Sequence, residues 1–465
     1  MAERSALHAL FGDIECRDSA DFSDLDPGFH PDNLDADLMV LPANTTEVRE
    51  VLRTCNDCRV SVVTQGGRTG LSGAAVSQSG QIILDTRRMN RILQIDALSA
   101  TAVVECGVTL EQLEKEANRY GLSCGIDLAA RGTATIGGMV ATNAGGIEAF
   151  RNGIMRNRIF GLESVLANGD VFSDLKQVSK ANEGYDLKQL FVGAEGTLGV
   201  VTQVAISLVP RVEEAASVLV SSDTCDQAVA LFRTLRKHPS LNLVSAEIMW
   251  PEYARLVAKE TGCSNVLSFE DSDDVVFVLI EISLADQSTS EAIEAFLFEQ
   301  LESGLIRNAV QAKNRSERNA MWQIREDSFV VDRAYPNGMW FDMSVPLAHM
   351  TEYSTMLRSK IPRLADGLQC FLFAHLGDGN FHATISSGNE LSGLEDKIKS
   401  VVYDQLDGLG GSFSAEHGIG IDKIDALHRY VPDINLQMMH QIKSLFDPNG
   451  ILNPGKVLKR QSKMP

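Results

Sequence analysis

The chain is short of several things at once, and each shortage removes a class of protein. Eight cysteines are spread over 465 residues. That is too sparse for a disulfide scaffold, so reduced thiols in a cytoplasmic protein are expected. Cys55 and Cys58 form a lone CxxC with no second pair at zinc-ribbon spacing, and they read as two incidental thiols. The opening stretch, MAERSALHALFGDIEC, has no apolar core of the kind a signal peptide carries. It is not arginine-rich and acid-poor either, as a transit peptide would be. Long hydrophobic runs are also missing. The most apolar stretch, VVFVLIEISL at 275–284, contains Glu281 and is too short to span a bilayer, so it predicts a buried strand and no transmembrane segment. Basic charge is scarce, with 42 Lys and Arg against 62 Asp and Glu and a formal net charge of -20. Such a chain repels phosphate backbones and anionic membranes, which argues against nucleic acid as a partner. An anionic substrate then needs a local positive centre, an arginine or a metal ion.

What is present is a regular alternation of strand and helix signals, with no internal repeat and no long linker. Asn44-Thr45-Thr46-Glu47 has the cap-then-glutamate pattern of a helix start. Val48, Val51, Leu52 and Cys55 then recur on one helical face. Val60–Thr64 is β-branched and predicts a strand running into QGGRTGLSG at 65–73. A strand at Ile82–Asp85, a hairpin of Arg91–Asp96 with Thr101–Cys106, and a capping box at Thr109–Gln112 follow. Glycine is dense again at 121–146 and 193–199, falls through an acidic, helix-rich stretch from 211, and returns near the end.

The glycine-rich segments are candidate ligand loops. QGGRTGLSG exposes successive backbone N–H groups after a strand, as a phosphate-binding nest does. It matches neither the P-loop nor the Rossmann fingerprint, and such a loop can equally be a plain turn. GIDLAARGTATIGGMVATNAGG (125–146) lets a flat ligand approach the backbone closely. GAEGTLGVVTQVAI (193–206) is a third loop feeding a strand.

Nine histidines are few, and three of them fall in two short motifs, HLGDGNFH (375–382) and SAEHGIG (414–420). Taking Asp378-Gly379 as a two-residue hairpin turn pairs His375 with His382 directly across the strands, ~5 Å apart on one face. Asn380 shares that face. Two imidazoles at this separation suit one metal ion, with a carboxylate such as Glu416 completing the set. His8, His30, His238, His349, His428 and His440 read as surface or structural residues. Arg325, in MWQIRE, is either a surface residue with a buried stem or a carboxylate clamp.

Eight anchors in order resemble one family: PANTTEV, the GG-x-TGLSG loop, ATIGGMVATNAGG, GAEGTLGVVT, W-x-x-RE, H-x-GDGN-x-H, AEHGIG and NPGK. They run from about Pro42 to Val457 and resemble FAD-linked dehydrogenases of the vanillyl-alcohol-oxidase type, in the D-lactate and D-2-hydroxyglutarate dehydrogenase branch. The resemblance implies an α+β fold. After an N-terminal segment (1–35) come a two-subdomain FAD domain (36–212), a substrate-binding cap with the metal site (213–444) and a tail returning to the FAD domain (445–465). It implies that Gly66, Gly67, Thr69, Gly70, Leu71 and Ser72 hold the FAD pyrophosphate. Thr135, Gly138, Asn143, Gly145, the loop to Val200, and Asn453 of NPGK would line the rest of the cofactor. His375, His382 and Glu416 would bind a divalent metal, typically zinc, with manganese and cobalt also suited. Arg325 and Asn380 would hold the substrate, and His417 would act as general base.

Departures from the pattern carry information. Arg68 stands where the family has a third glycine, which predicts an added charge beside the pyrophosphate. No histidine is placed to tether the flavin, so FAD is expected to be non-covalent. The 2-hydroxyglutarate enzymes carry a lysine fifteen residues after the arginine and a threonine four after it. Trp340 and Phe329 stand there in this chain. Both replacements withdraw polar partners from a distal carboxylate, which points to a monocarboxylic D-2-hydroxy acid such as D-lactate or an aromatic analogue. D-2-hydroxyglutarate is the alternative within the family, and a flavin-free metal hydrolase is the alternative outside it. An external electron acceptor is implied, whether a flavoprotein, a quinone or a cytochrome. Oligomeric state stays open, a homodimer included.

Overall fold

In a computed structural model, residues 10–460 other than 273 are described. His8 and the ends of the N-terminal segment and of the tail fall outside them. The described chain divides into two compact units. One takes the residues up to 146, 152–211 and those from 416 on, and the other takes 147–151 and 212–415.

Besides a short strand pair, Leu122–Ser123 with Val209–Pro210, the first unit holds two larger sheets. One has four strands in the order Glu15–Asp18, Leu38–Leu41, Gln81–Asp85, Ser61–Gln65, the last three mutually parallel. The other is antiparallel, in the order Ile92–Asp96, Thr101–Glu105, Val200–Ser207, Ile159–Val165, Val171–Asp174. The predicted first helix forms over Thr45–Cys58. The Asn44 side chain accepts from the Glu47 backbone N–H, and Val48, Val51, Leu52 and Cys55 are buried. The Thr109–Gln112 capping box opens the helix Leu110–Ala117 as predicted. Both helices close on one apolar core that also takes in the two sheets. All eight cysteines are free, with Cys55 buried and Cys58 exposed.

The second unit is built on a seven-stranded antiparallel sheet in the order Asn308–Gln311, Ala215–Ser222, Val276–Ser283, Asn242–Met249, Gln369–His375, Asn380–Ser386, Met339–Ser344. The apolar run around Glu281 is one of its central strands, as predicted. The helices Pro251–Glu260 and Arg315–Glu326 cover one face, burying Tyr253, Met321, Trp322 and Ile324 against Met249, Phe371 and Phe373.

The histidine hairpin is present, but its register differs from the prediction. His375 faces Asn380, and His382 faces Phe373. The turn takes four residues, Leu376 to Gly379, rather than the Asp-Gly pair alone. Leu376 donates its N–H to the Ala246 carbonyl on the neighbouring strand, 2.9 Å away, and so leaves the hairpin ladder. Gly377 lies flat on the Phe150 ring, with no room for a Cβ. Gly379 takes φ +74° and donates to the His375 carbonyl. The slip is two residues, so every side chain keeps its face. His375, Asn380 and His382 still point the same way, with the two imidazoles as diagonal neighbours.

No helix among the described residues is long and apolar enough to cross a membrane.

Candidate active site

The first unit contains a cavity of about 340 Å³. Of the residues expected to hold a cofactor, Gly66, Gly67, Arg68, Thr69, Gly70, Leu71, Thr135, Gly138, Gly145 and Asn453 line it, together with Glu416 and His417. Its walls are backbone and small side chains because nothing larger fits. A Cβ on Gly66 would run into the Thr135 hydroxyl, and one on Gly67 into the Thr133 carbonyl. One on Gly137 would meet Cys106, and one on Gly145 would meet the Glu416 carboxylate. A surface this bare suits a flat dinucleotide lying close to the main chain.

Three expected cofactor residues do not line the cavity. Ser72 ties the loop instead to the 418–421 segment, its hydroxyl donating to the Gly418 carbonyl and its own carbonyl accepting from Ile421. Asn143 closes the helix Ile136–Thr142 at φ +54°, its side chain accepting from the Arg156 N–H. Val200 is fully buried in its sheet, while Gly199 and Val201 on either side reach the cavity.

Arg68 corrects a prediction. Its guanidinium is buried and committed to the protein. Nη1 lies 3.3 Å from the buried Asp85 carboxylate, and Nε donates to the Asp26 carbonyl at 3.0 Å. Asp85 offsets the charge locally, so Arg68 braces the loop from behind rather than adding a free cation beside a phosphate.

Glu195, in GAEGTLG, was not singled out by its sequence. It sits at φ +50°, a costly conformation for a side-chain-bearing residue. Its two carboxylate oxygens accept from the Ile419 and Gly420 N–H groups at 2.7 and 2.8 Å. Asn453 donates to its carbonyl at 2.6 Å. Glu195 therefore holds the segment that follows Glu416 and His417. Burial pushes its carboxyl up to about 7, although both N–H groups, Lys423 and Lys456 pull the other way.

The second unit contributes one sheet face. Glu247, His375, Asn380 and Ser344 stand in one cross-strand row. Met249, Phe373, His382 and Asp342 form the next. The imidazoles of His375 and His382 lie 5.2 Å apart, edge to face, and His382 stacks on Phe373. Arg325, from the last turn of its helix, is 6% exposed, with its guanidinium 4.4 Å from the centre of the Phe373 ring. Its Nε donates to Glu247 Oε2 at 2.6 Å. Glu247 Oε1 meets His375 Nδ1 at 2.9 Å. Asn380 donates to Asp342 Oδ1 at 2.9 Å and to the Met343 carbonyl, and its own Oδ1 is buried without a partner. Trp340 donates to Asp332 at 2.8 Å, and Phe329 packs 5.4 Å from it, ring to ring.

Glu247 and Asp342 were not among the expected site residues. A signal was available for the first: it is a lone carboxylate in an apolar strand, LVSAEIM, where a charge must be paired.

A family model for an FAD binding domain matches residues 36–174, and one for the FAD linked oxidases, C-terminal domain, matches 211–457. The chain belongs to the FAD-linked oxidase family. This FAD-linked oxidase is 35% identical over 423 residues to the mitochondrial D-2-hydroxyglutarate dehydrogenase of Arabidopsis thaliana, a match covering 90% of the chain and 75% of the relative. It is 30% identical over 427 residues to the D-2-hydroxyglutarate dehydrogenase of Stutzerimonas stutzeri strain A1501, covering 90% of each. Among solved structures, the 4-ethylphenol oxidase of Gulosibacter chungangensis is similar with a TM-score of 0.72 at 18% identity, over 100% of this chain and 98% of the other. A p-cresol methylhydroxylase follows at 0.71 and 18%, over 91% and 88%. These likenesses bear out the expected α+β fold of the vanillyl-alcohol-oxidase type. The FAD-linked oxidase is a flavoprotein and an oxidoreductase.

Proposed function

We propose that the protein oxidises a D-2-hydroxy acid to the 2-oxo acid, preferring a monocarboxylate with an apolar or aromatic tail. The observation that carries the reading is Arg325, a buried arginine in a strongly acidic chain, on the sheet face that bears both imidazoles. Its Nε is aligned by Glu247, and its Nη1 has no protein partner among the described residues. An arginine so held can grip a carboxylate with little ordering cost.

When bound, FAD supplies the acceptor for the hydride that leaves Cα. A divalent metal, when bound, makes the substrate hydroxyl more acidic. His375 and His382 suit zinc, manganese or cobalt by donor type, and the family resemblance adds Glu416 as the third ligand. In this reading an imidazole nitrogen of His417 takes the hydroxyl proton, and Arg325 holds the carboxylate so that Cα cannot turn. Asn380, whose buried Oδ1 has no hydrogen-bond partner among the described residues, stands on the same face and would help to hold the substrate. Turnover would require an external electron acceptor for the reduced cofactor.

The tail preference rests on Trp340 and Phe329. They present an aromatic pair, and the indole N–H of Trp340 donates to the acidic Asp332. A distal carboxylate there would meet aromatic rings and another carboxylate in place of a cationic or hydroxyl partner. D-2-hydroxyglutarate remains the second reading, favoured by the names of the relatives. Steady-state kcat/KM on D-lactate, D-mandelate and D-2-hydroxyglutarate separates the two. The proposal predicts the highest value for one of the first two, and a clear preference for D-2-hydroxyglutarate overturns it.

A further inference from the structure

We infer that Glu247 is a positioning residue that serves two partners at once: it selects which nitrogen of His375 faces a metal, and it aligns the arginine that receives the substrate carboxylate. This rests on the metal reading given above and extends it to a residue of the next shell outward.

Glu247 and His375 are direct cross-strand partners, so their side chains leave the sheet side by side. Glu247 is fully buried, and each of its oxygens has one partner. Oε1 lies 2.9 Å from His375 Nδ1, and Oε2 accepts from Arg325 Nε at 2.6 Å. Arg325 Nη2 also lies 3.4 Å from the same Nδ1. The ring nitrogen thus stands between an obligatory acceptor and an obligatory donor. The shorter contact decides. An unprotonated Nδ1 would place a lone pair against a buried carboxylate at 2.9 Å, whereas a protonated Nδ1 donates to it and leaves Arg325 at a weak, longer distance. His375 is therefore held with its proton on Nδ1, which turns Nε2 into the ligand atom. A carboxylate behind a histidine in this way fixes the tautomer and makes the opposite nitrogen a better donor.

The same carboxylate fixes the Arg325 fork. Glu247 takes His375 from the neighbouring strand and Arg325 from a helix, so one anchor sets the spacing between a metal ligand and a carboxylate receptor. Two functions usually supported by separate groups then depend on a single side chain, and they should fail together.

The test uses the FAD-loaded protein and the Glu247→Gln variant, stripped of metal by dialysis and titrated with zinc against a coloured chelator. Binding of 2-hydroxyisobutyrate, which has no Cα hydrogen to lose, is read from the flavin spectrum at saturating zinc. Zinc affinity should fall about 10- to 100-fold in Glu247→Gln, and affinity for the acid should fall with it. The control is Glu281→Gln. Glu281 is another buried carboxylate of the same sheet, accepting from Ser217, Arg318 and Trp322. It should lose stability but keep both affinities. Unchanged zinc and acid binding in Glu247→Gln overturns the inference, as does equal loss in both variants. Should Glu247→Gln not fold, nitrogen NMR of histidine-labelled wild type decides. Nδ1 of His375 protonated, with Nε2 shifting on zinc addition, supports the inference, and the opposite assignment overturns it. A wild-type protein that takes up no zinc overturns the metal reading itself and this inference with it.

Discussion

The cavity of the first unit and the sheet face of the second recognise by opposite means. The cavity is made of what has been left out: glycine after glycine, with main chain and small side chains forming the wall. The sheet face is made of what has been put in, namely a carboxylate, a guanidinium, two imidazoles and a carboxamide tied in one network. A wall of backbone is insensitive to charge and intolerant of bulk. A network of buried charges is tolerant of shape only while every partner is present. The two regions should therefore break differently.

The largest effect is expected at Arg325. Replacing it with methionine leaves Glu247 buried without its cation, which costs about 3–5 kcal/mol of stability. It also removes the carboxylate receptor, so urea unfolding and kcat/KM should both collapse. Arg325→Lys keeps the charge but not the fork, and should fold while losing most activity. In the first unit, Glu195 is a buried acid that lines the cavity and gives a pH signature. Its carboxyl stands near 7 in the folded protein against 4.5 ordinarily. The native state then binds the extra proton between those values, so stability falls as pH rises from about 4.5 to about 7, by roughly 3 kcal/mol. Glu195→Gln should flatten that slope in thermal unfolding measured across the window. A methyl group is enough to damage the wall itself. Gly67→Ala drives a Cβ into the Thr133 carbonyl, and the ~1–3 kcal/mol of such overpacking should weaken FAD binding by about 10- to 100-fold in flavin titration. The smallest effect is one of preference. Phe329→Thr with Trp340→Lys should raise the ratio of kcat/KM for D-2-hydroxyglutarate over D-lactate by about tenfold, as one new charged hydrogen bond would.

The same contrast explains what could be read in advance. The glycine loops are local, so Gly66, Gly67 and Thr135 announce themselves in the sequence as a nest and a cap. The first helix is legible for the same reason, since Asn44, Glu47 and the Val48 face all lie within one short segment. The histidine face was legible by parity but not by register. Leu376 bonds to Ala246 and Gly377 lies on Phe150, both contacts made by distant segments, and these open the turn from two residues to four. Glu247 lies 128 positions from His375 and becomes its neighbour only through strand order. Arg68 misled because its partners Asp85 and Asp26 belong to other elements. A buried carboxylate can be suspected from an apolar strand, but its partners cannot be named until the sheet is assembled.

The proposed oxidation rests on a hydride leaving the Cα of a D-2-hydroxy acid. The most direct measurement is anaerobic mixing of the FAD-loaded protein with D- and L-enantiomers of lactate, mandelate and 2-hydroxyglutarate, watching the visible flavin band. At least one D-acid should bleach the band, and its L-enantiomer should not. A band that stays unchanged with every acid, or that bleaches only with L-acids, would contradict the proposed oxidation.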